Sequence, residues 1–285
     1  MTRLAPDIAA FLAREPVAIV AELTSVRGSS PRNEGTFMLI GAEALFGTIG
    51  GGALEYLVID HARRLIASGR AAEVLDVPLG PEIGQCCGGR VAVSLRHVTP
   101  DVADELTGRL AAEKRSWPHV YVFGAGHVGR ALAACLALLP VRVHVVDTRR
   151  AELIGFPEAV DSIAAAMPEA VVRSAPQGSS YVILTHDHAL DFLIAQEALA
   201  RSDAPYVGMV GSQTKRARFA KWYLSEGGDR AGLARLTLPI GSQGIGDKRP
   251  EVIAALATAE IMVHIQRREA SVQSAPATWG AVDGR

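Results

Sequence analysis

The chain has 285 residues, 49% of them hydrophobic and 21% charged, a balance typical of globular proteins rather than disordered or fibrous ones. Its formal net charge of −1 provides no basic field, so we expect neither nucleic acid nor a membrane surface as a partner. Residues 1–10 lack the apolar core of a secretory signal, and no apolar run has the length of a membrane helix. The three cysteines do not suggest a disulfide framework. We therefore expect a cytoplasmic protein with reduced thiols.

The first part of the chain, residues 1–100, is predicted to be an N-terminal α/β domain. Apolar, β-branched runs predict strands, and apolar residues with the 3.6-residue spacing predict a helix that follows Gly50-Gly-Gly. The predicted helices span 8–14 and 53–68, and the predicted strands span 17–24, 36–40, 74–79 and 91–95. The last two strands flank Gln85-Cys-Cys-Gly-Gly.

Residues 101–117 are predicted to be a linking helix, and residues 118–235 a Rossmann-like domain with a doubly wound parallel sheet. A strand, a glycine-rich turn, an apolar helix to Leu139 and a second strand form a βαβ unit, and further strands and helices alternate after it. The predicted strands span 119–123, 141–146, 170–172, 181–184 and 206–210, and the later helices span 190–200 and 214–225. Residues 236–269 hold a glycine-rich loop (239–246) and a last helix that begins at Pro250, and the tail 270–285 is expected to be disordered.

The turn of the βαβ unit fits the dinucleotide fingerprint, because its glycines would let helix N–H groups face a phosphate. An aspartate at the end of the second strand could accept hydrogen bonds from ribose hydroxyls. The alternative is a Rossmann core without a ligand, since fold does not determine function. The candidate cofactor-binding residues here are Gly124, Gly126, His127, Gly129, Asp147 and Arg149.

Other segments offer further anion contacts, each with a structural alternative. Gly50 and Gly51 precede a helix and could cradle an anion, or they could serve only a tight turn. Arg27 lies near hydroxyl residues in what could also be a solvated hairpin tip. Ser212 is predicted to cap a helix whose first turns carry Lys215, and a cation there opposes the helix dipole, which favours a ligand-binding role.

The cysteines and histidines suggest two more sites. Cys86 and Cys87 stand beside two glycines, where a thiol would be accessible, although a vicinal disulfide or an inert pair would also fit. Cys135 is expected in a helix core. The segment from His186 to Asp191 departs from the zinc-hydrolase motif, and its place after a strand points instead to the ligand crevice.

Taken together, these segments resemble the xanthine dehydrogenase accessory protein (XdhC/CoxI) family of molybdenum-cofactor chaperones. The matching stretches run through nearly the whole chain in order: 24–32, 50–55, 86–89, 122–129, 146–149, 185–188, 208–215 and 245–250. The resemblance implies a protein that binds molybdopterin, protects it while a cysteine desulfurase installs its terminal sulfur, and helps insert it into apo-xanthine dehydrogenase. It also implies a homodimer that is not itself an enzyme, with Cys86 or Cys87 contacting the molybdenum.

Two alternatives remain. An NAD(P)-dependent oxidoreductase could use the same fingerprint, with Asp147 on the ribose and His127 or His186 as proton donor. Against it, the chain offers no substrate domain with an acid–base pair. An interaction scaffold with a vestigial Rossmann site is the other alternative.

Overall fold

The computed structural model describes residues 8–81, 88–241 and 246–273. The chain forms two compact units, and the division falls between Glu113 and Lys114. Cys86 and Cys87 lie outside the described residues. Among the described residues, no helix combines the length and the apolar character needed to cross a membrane.

Unit 1 is an antiparallel sheet with helices on both faces. Its strands pair in the order β3-β2-β1-β5-β4. Alternate residues of β1 point to opposite faces: Ile19 and Leu23 pack in the core that contains α2, while Val20 packs with Phe11 and Leu106 of the other two helices. The elements are α1 (Ile8–Arg14), β1 (Ile19–Arg27), β2 (Phe37–Ile40), β3 (Leu45–Gly47), α2 (Ala53–Ser68), β4 (Ala72–Pro78), β5 (Arg90–His97) and α3 (Pro100–Ser116).

Unit 2 is a six-stranded, fully parallel sheet in the order β8-β7-β6-β9-β10-β11. This is the doubly wound order, which changes direction between β6 and β9. The elements are β6 (His119–Phe123), α4 (His127–Leu136), β7 (Arg142–Asp147), a 3₁₀ turn (Arg150–Leu153), β8 (Val160–Ala164), α5 (Pro168–Ser174), β9 (Ser180–Ile183), α6 (His188–Ala200), β10 (Val207–Met209), α7 (Gln213–Ser225), α8 (Arg230–Arg235), β11 (Leu236–Thr237) and α9 (Pro250–Gln273).

Two apolar cores cover the faces of this sheet. On one face, α4 and α9 pack together, and their residues Leu132, Leu136 and Ile261 share a core with Val122 of β6. On the other face, residues of α5, α6 and α7 pack against Phe123 and the neighbouring strands. Helices on both faces leave the carboxyl ends of the strands as the place for a ligand crevice.

The predicted fold class is confirmed: the protein is a mixed α/β chain with a parallel Rossmann-like sheet in its second part. The strand predicted over 170–172 is wrong, because these residues belong to α5, where Pro168 occupies the first helical turn and Glu169 complements the helix dipole. The third strand of the sheet is instead β8, which the sequence analysis missed. The disordered tail predicted from residue 270 is wrong for residues 270–273, which continue α9, and residues 274–285 lie outside the described part.

Candidate functional site

The crevice of unit 2 lies at the carboxyl ends of β6 and β9, where the strand order changes direction. The turn after β6 carries the glycines of the fingerprint, and α4 begins directly after Gly126. Gly126 is the N-cap residue, and no side chain of the described residues accepts a hydrogen bond at this cap. The first-turn N–H groups of α4 therefore remain available to an anion.

The three fingerprint glycines have different physical roles. A Cβ atom on Gly129 would lie 2.0 Å from the carbonyl oxygen of Gly124, so only glycine lets the helix approach the turn this closely. Gly124 has φ of 115°, and a Cβ there would lie 2.4 Å from the carbonyl oxygen of Leu184. Gly126 differs from both, because a Cβ on it would have no heavy atom within 4 Å. The first and third glycines serve packing, while the second leaves open space beside the helix N-terminus.

Asp147 connects this turn to the end of β7. Its buried carboxylate accepts hydrogen bonds from the Ala125 N–H at 2.8 Å, from the Arg149 N–H at 2.9 Å, and from Nε and Nη2 of the Arg149 side chain, each at 3.0 Å. Burial alone would raise the pKa of Asp147, but the hydrogen bonds from Arg149 and Ala125 outweigh it and lower the pKa to about 2. Asp147 is therefore ionised and holds both the glycine turn and Arg149 in place.

A buried ion pair joins the first turns of α6 and α7, the helices that follow β9 and β10. Lys215, a predicted ligand-binding cation, is buried, and its Nζ lies 2.5 Å from Asp191 Oδ2 and donates to the Val210 carbonyl at 2.9 Å. The other Asp191 oxygen accepts from the N–H and the hydroxyl of Thr185, at 3.0 and 2.7 Å. Lys215 thus stabilises the crevice walls, and its charge is already paired. Ser212 caps α7 by accepting from the Lys215 N–H, as predicted.

The histidines of the crevice edge are exposed. His127 stands in the first turn of α4, and His186 and His188 follow β9. His188 Nδ1 lies 3.9 Å from Asp191, whose oxygens are occupied by Lys215 and Thr185. Within the described ranges, no group of three or more His, Cys, Asp or Glu residues could hold a metal ion.

In unit 1, the N–H groups of the glycine turn before α2 face an internal carboxylate. Glu55 accepts from the Thr48 hydroxyl at 2.5 Å, from the Ile49 N–H at 3.0 Å and from the Gly51 N–H at 2.9 Å. Burial would raise the pKa of Glu55, but these hydrogen bonds lower it. The cradle predicted at Gly50 and Gly51 for an external anion thus already contains an anion of the protein itself.

Three of the motif segments of unit 1 meet near the Arg27 turn. A Cβ on Gly89 would lie 2.0 Å from the carbonyl oxygen of Ser29, and a Cβ on Gly50 would lie 2.6 Å from the side chain of Pro31. The Gly88 N–H donates to the Leu79 carbonyl, so the ladder between β4 and β5 continues up to the glycines that follow the two cysteines in sequence. The turn that carries the exposed Arg27 is therefore in contact with both other motifs.

Two residues that shape these sites were not predicted to do so. Glu55 belongs to a motif noted in the sequence, but its role needs the turn geometry. Asp191 was considered only as a metal ligand, and it is instead the fully buried partner of Lys215. The sequence offered one signal for this pair: Asp191 stands in the first turn of a helix, and Lys215 stands at the start of the helix that follows the next strand.

Two family models match the chain: the model of the XdhC Rossmann domain matches residues 120–261, and that of the XdhC and CoxI family matches residues 11–77. An uncharacterized protein, YqeB from Escherichia coli K12, is 27% identical over 258 residues, which cover 85% of this chain and 42% of that protein. The chain thus spans less than half the length of this relative. A crystal structure of a xanthine dehydrogenase from Bacillus halodurans matches with a TM-score of 0.75 and 20% identity, over 94% of this chain and 97% of the other. That likeness concerns the fold, whereas the two family models cover most of the chain in the expected order. The chain belongs to the XdhC and CoxI family.

Proposed function

We propose that this protein binds the molybdenum cofactor, protects it during sulfuration and helps insert it into apo-xanthine dehydrogenase. The observation that carries the proposal is the packing of Gly88–Gly89 on the Arg27–Ser29 turn. Because these glycines directly follow Cys86 and Cys87 in sequence, the connection that carries the two thiols ends beside an exposed arginine. Family membership adds independent support, since the family model includes this turn.

The residues of this region fit the chemistry of the cofactor. Molybdopterin has a phosphate, a polar fused ring and a soft metal–dithiolene group. Arg27 and Arg32 are exposed cations suited to the phosphate or the ring. At Gly51 and Gly88, a Cβ would meet no atom of the described residues within 4 Å. A thiolate of Cys86 or Cys87 suits molybdenum. Bound cofactor would supply the molybdenum–sulfur centre for the target enzyme, and the protein would hold and shield it.

Unit 2, taken by itself, offers a second candidate phosphate site. The N-terminus of α4 and the open space at Gly126 suit a phosphate group. The proposal also includes two partners and an oligomeric state. A cysteine desulfurase donates the sulfur, the molybdenum subunit of xanthine dehydrogenase receives the cofactor, and the protein works as a homodimer. Each follows from the family's role.

Cofactor retention in cysteine variants tests the proposal. The full chain is purified from cells that make the cofactor, and molybdopterin is measured as its fluorescent oxidation product per mole of protein. We expect wild-type protein to retain cofactor, and Cys86→Ser or Cys87→Ser to lose most of it while the melting temperature changes by only a few degrees, because serine keeps the size of the side chain but not the soft sulfur.

Cys135→Ser is the control, because Cys135 lies outside the glycine-flanked pair in sequence. Cys135 is partly buried and packs on the core that α4 and α9 form, so a hydroxyl there costs about 1–3 kcal/mol of stability if it remains unpaired. We expect this variant to melt earlier and still bind cofactor. If Cys86→Ser and Cys87→Ser both retain all of the cofactor, the thiols have no role in binding it. If wild-type protein retains no cofactor, the proposal itself is contradicted.

A further inference from the structure

The acidic residue of the fingerprint is fully occupied by the protein. In dinucleotide-binding Rossmann domains, the carboxylate at the end of the second strand accepts hydrogen bonds from the adenosine ribose. Asp147 occupies this position at the end of β7. Its Oδ1 accepts from the N–H and Nε of Arg149, and its Oδ2 accepts from Nη2 of Arg149 and from the Ala125 N–H. Two hydrogen bonds to each oxygen use the acceptor capacity that a ribose diol would need.

Replacing Arg149 by a ribose would be unfavourable. The guanidinium contacts both oxygens of a buried carboxylate, and such charge-assisted pairs are roughly twice as strong as hydrogen bonds between neutral groups. A ribose would offer only neutral hydroxyls, and it would leave Arg149 without this partner. The hydrogen bond with Asp147 also raises the pKa of Arg149, whose side chain is 42% exposed.

Arg149 is also poorly suited to the additional phosphate of NADP. An arginine at this position can pair with the 2′-phosphate, but here the guanidinium is shared between two carboxylates. The first carboxylate is that of Asp147. The second is that of Glu152, in the 3₁₀ turn after β7, whose Oε1 lies 3.6 Å from Arg149 Nη1. Both carboxylates would repel an incoming phosphate.

We infer that Arg149 closes the crevice to the ribose of NAD and NADP, so that the ligand at the glycine turn is a phosphate ester without a ribose diol at this position. The inference rests on the proposed function only for the presence of a phosphate ligand. Arg149 is then a specificity-determining residue, and Asp147 is the positioning residue that holds it. The adenosine-binding role expected for Asp147 is replaced by a structural one.

The test is a gain of binding on removal of the arginine. Purified full-length wild type, Arg149→Ala, Arg149→Met and the control Arg150→Ala are titrated with NADH and with NADPH, and binding is followed by nicotinamide fluorescence. Arg150 is the next residue and is exposed, and none of the hydrogen bonds described at Asp147 comes from it. We expect both Arg149 variants to bind NADH at least about tenfold more tightly than wild type and Arg150→Ala, which is about 1.4 kcal/mol. Adding Asp147→Asn to Arg149→Ala should abolish the gain.

Several results would overturn the inference. Binding of NADH or NADPH by wild-type protein as tight as by Arg149→Ala would show that the arginine excludes nothing. The inference would also be overturned if both Arg149 variants melted like wild type and neither bound NADH or NADPH more tightly than wild type. If wild-type protein retains no molybdopterin while Arg149→Ala gains NADH binding, the proposed function is contradicted and this inference stands.

Discussion

The two units each place a glycine-rich turn before a helix, but they fill the turn differently. In unit 1, the N–H groups of Ile49 and Gly51 donate to Glu55 of the same helix. In the described part of unit 2, no side chain caps α4, and a Cβ on Gly126 would meet no atom within 4 Å. A glycine turn before a helix is therefore not enough to predict an anion site. Whether such a turn can bind an external anion depends on whether the helix already places a carboxylate of its own where the N–H groups converge.

The largest effect that we expect tests the packing role of the third fingerprint glycine. In Gly129→Ala the new methyl group would meet the Gly124 carbonyl oxygen at 2.0 Å, and backbone must move to accept it. We expect a loss of about 3 kcal/mol or more in the free energy of unfolding, measured by urea denaturation.

Gly126→Ala is the matched control, because its φ of −72° suits alanine and its Cβ would meet no neighbouring atom. It should cost less than about 1 kcal/mol and should weaken cofactor retention instead. Equal losses of stability in the two variants would refute the distinction between packing glycine and open glycine.

Acid should affect unit 2 through His144. This buried histidine on β7 stacks on Tyr121, and it lies 2.9 Å from His119 and 3.2 Å from Asp161. Burial lowers the pKa of His144 from 6.5 to about 4, while Asp161 opposes the shift and Arg142 adds to it. The folded state favours the neutral form of His144, whereas the unfolded state takes up a proton below pH 6.5. The free energy of unfolding is therefore at its full value above pH 6.5 and decreases as the pH falls toward 4. The full loss is about 3 kcal/mol.

Tryptophan fluorescence can measure this loss, because Trp117 and Trp222, the tryptophans among the described residues, both belong to unit 2. We expect the melting temperature to fall between pH 6.5 and 4 in wild type and to change much less in His144→Phe. His188→Gln is the control, because the His188 side chain is 78% exposed. An unchanged pH profile in His144→Phe would exclude His144 as the source.

The smallest effect tests the internal carboxylate of unit 1. All three hydrogen bonds reach Oε1 of Glu55, so Glu55→Gln can keep an acceptor oxygen there but loses the negative charge that strengthens them, and we expect a loss of about 1–2 kcal/mol. Phosphate should then stabilise Glu55→Ala more than wild type, because the cradle is vacated. The measurement is the shift in melting temperature on adding phosphate, with Glu43→Ala, an exposed glutamate, as control. Equal shifts in all three proteins would show that the cradle does not bind phosphate when empty.

The sequence predicted the parts of the fold that have strong periodicity. The βαβ unit around Gly124 was recognisable because an apolar strand, a glycine turn and an apolar helix follow one another within a short span. The edge strand β8 was not recognisable, because only Val160 is buried in it and two of its other four residues, Asp161 and Ser162, are polar. The pair Val171-Val172 suggested a strand, but tertiary packing of Val172 and the helix start at Pro168 determined the outcome.

For the candidate sites, the sequence identified the segments but not their internal partners. Lys215 and Asp191 stand far apart along the chain, so no local pattern indicates that they neutralise each other. Arg149 stands only two residues after Asp147, but the fingerprint assigns this aspartate to a ribose, and the two hydrogen bonds from the Arg149 side chain follow only from the folded geometry. The roles of Cys86 and Cys87 stay predictions.

The pairing of α4 with α9 has a consequence for protein synthesis. Leu132 and Leu136 of α4 complete their core only with Ile261 and Ile265, which the ribosome adds after nearly all of unit 2 has emerged. Until then α4 alone covers this face of the sheet, and the apolar surface left exposed can aggregate with other chains. A stop codon before α9 would therefore yield insoluble protein rather than a smaller working domain.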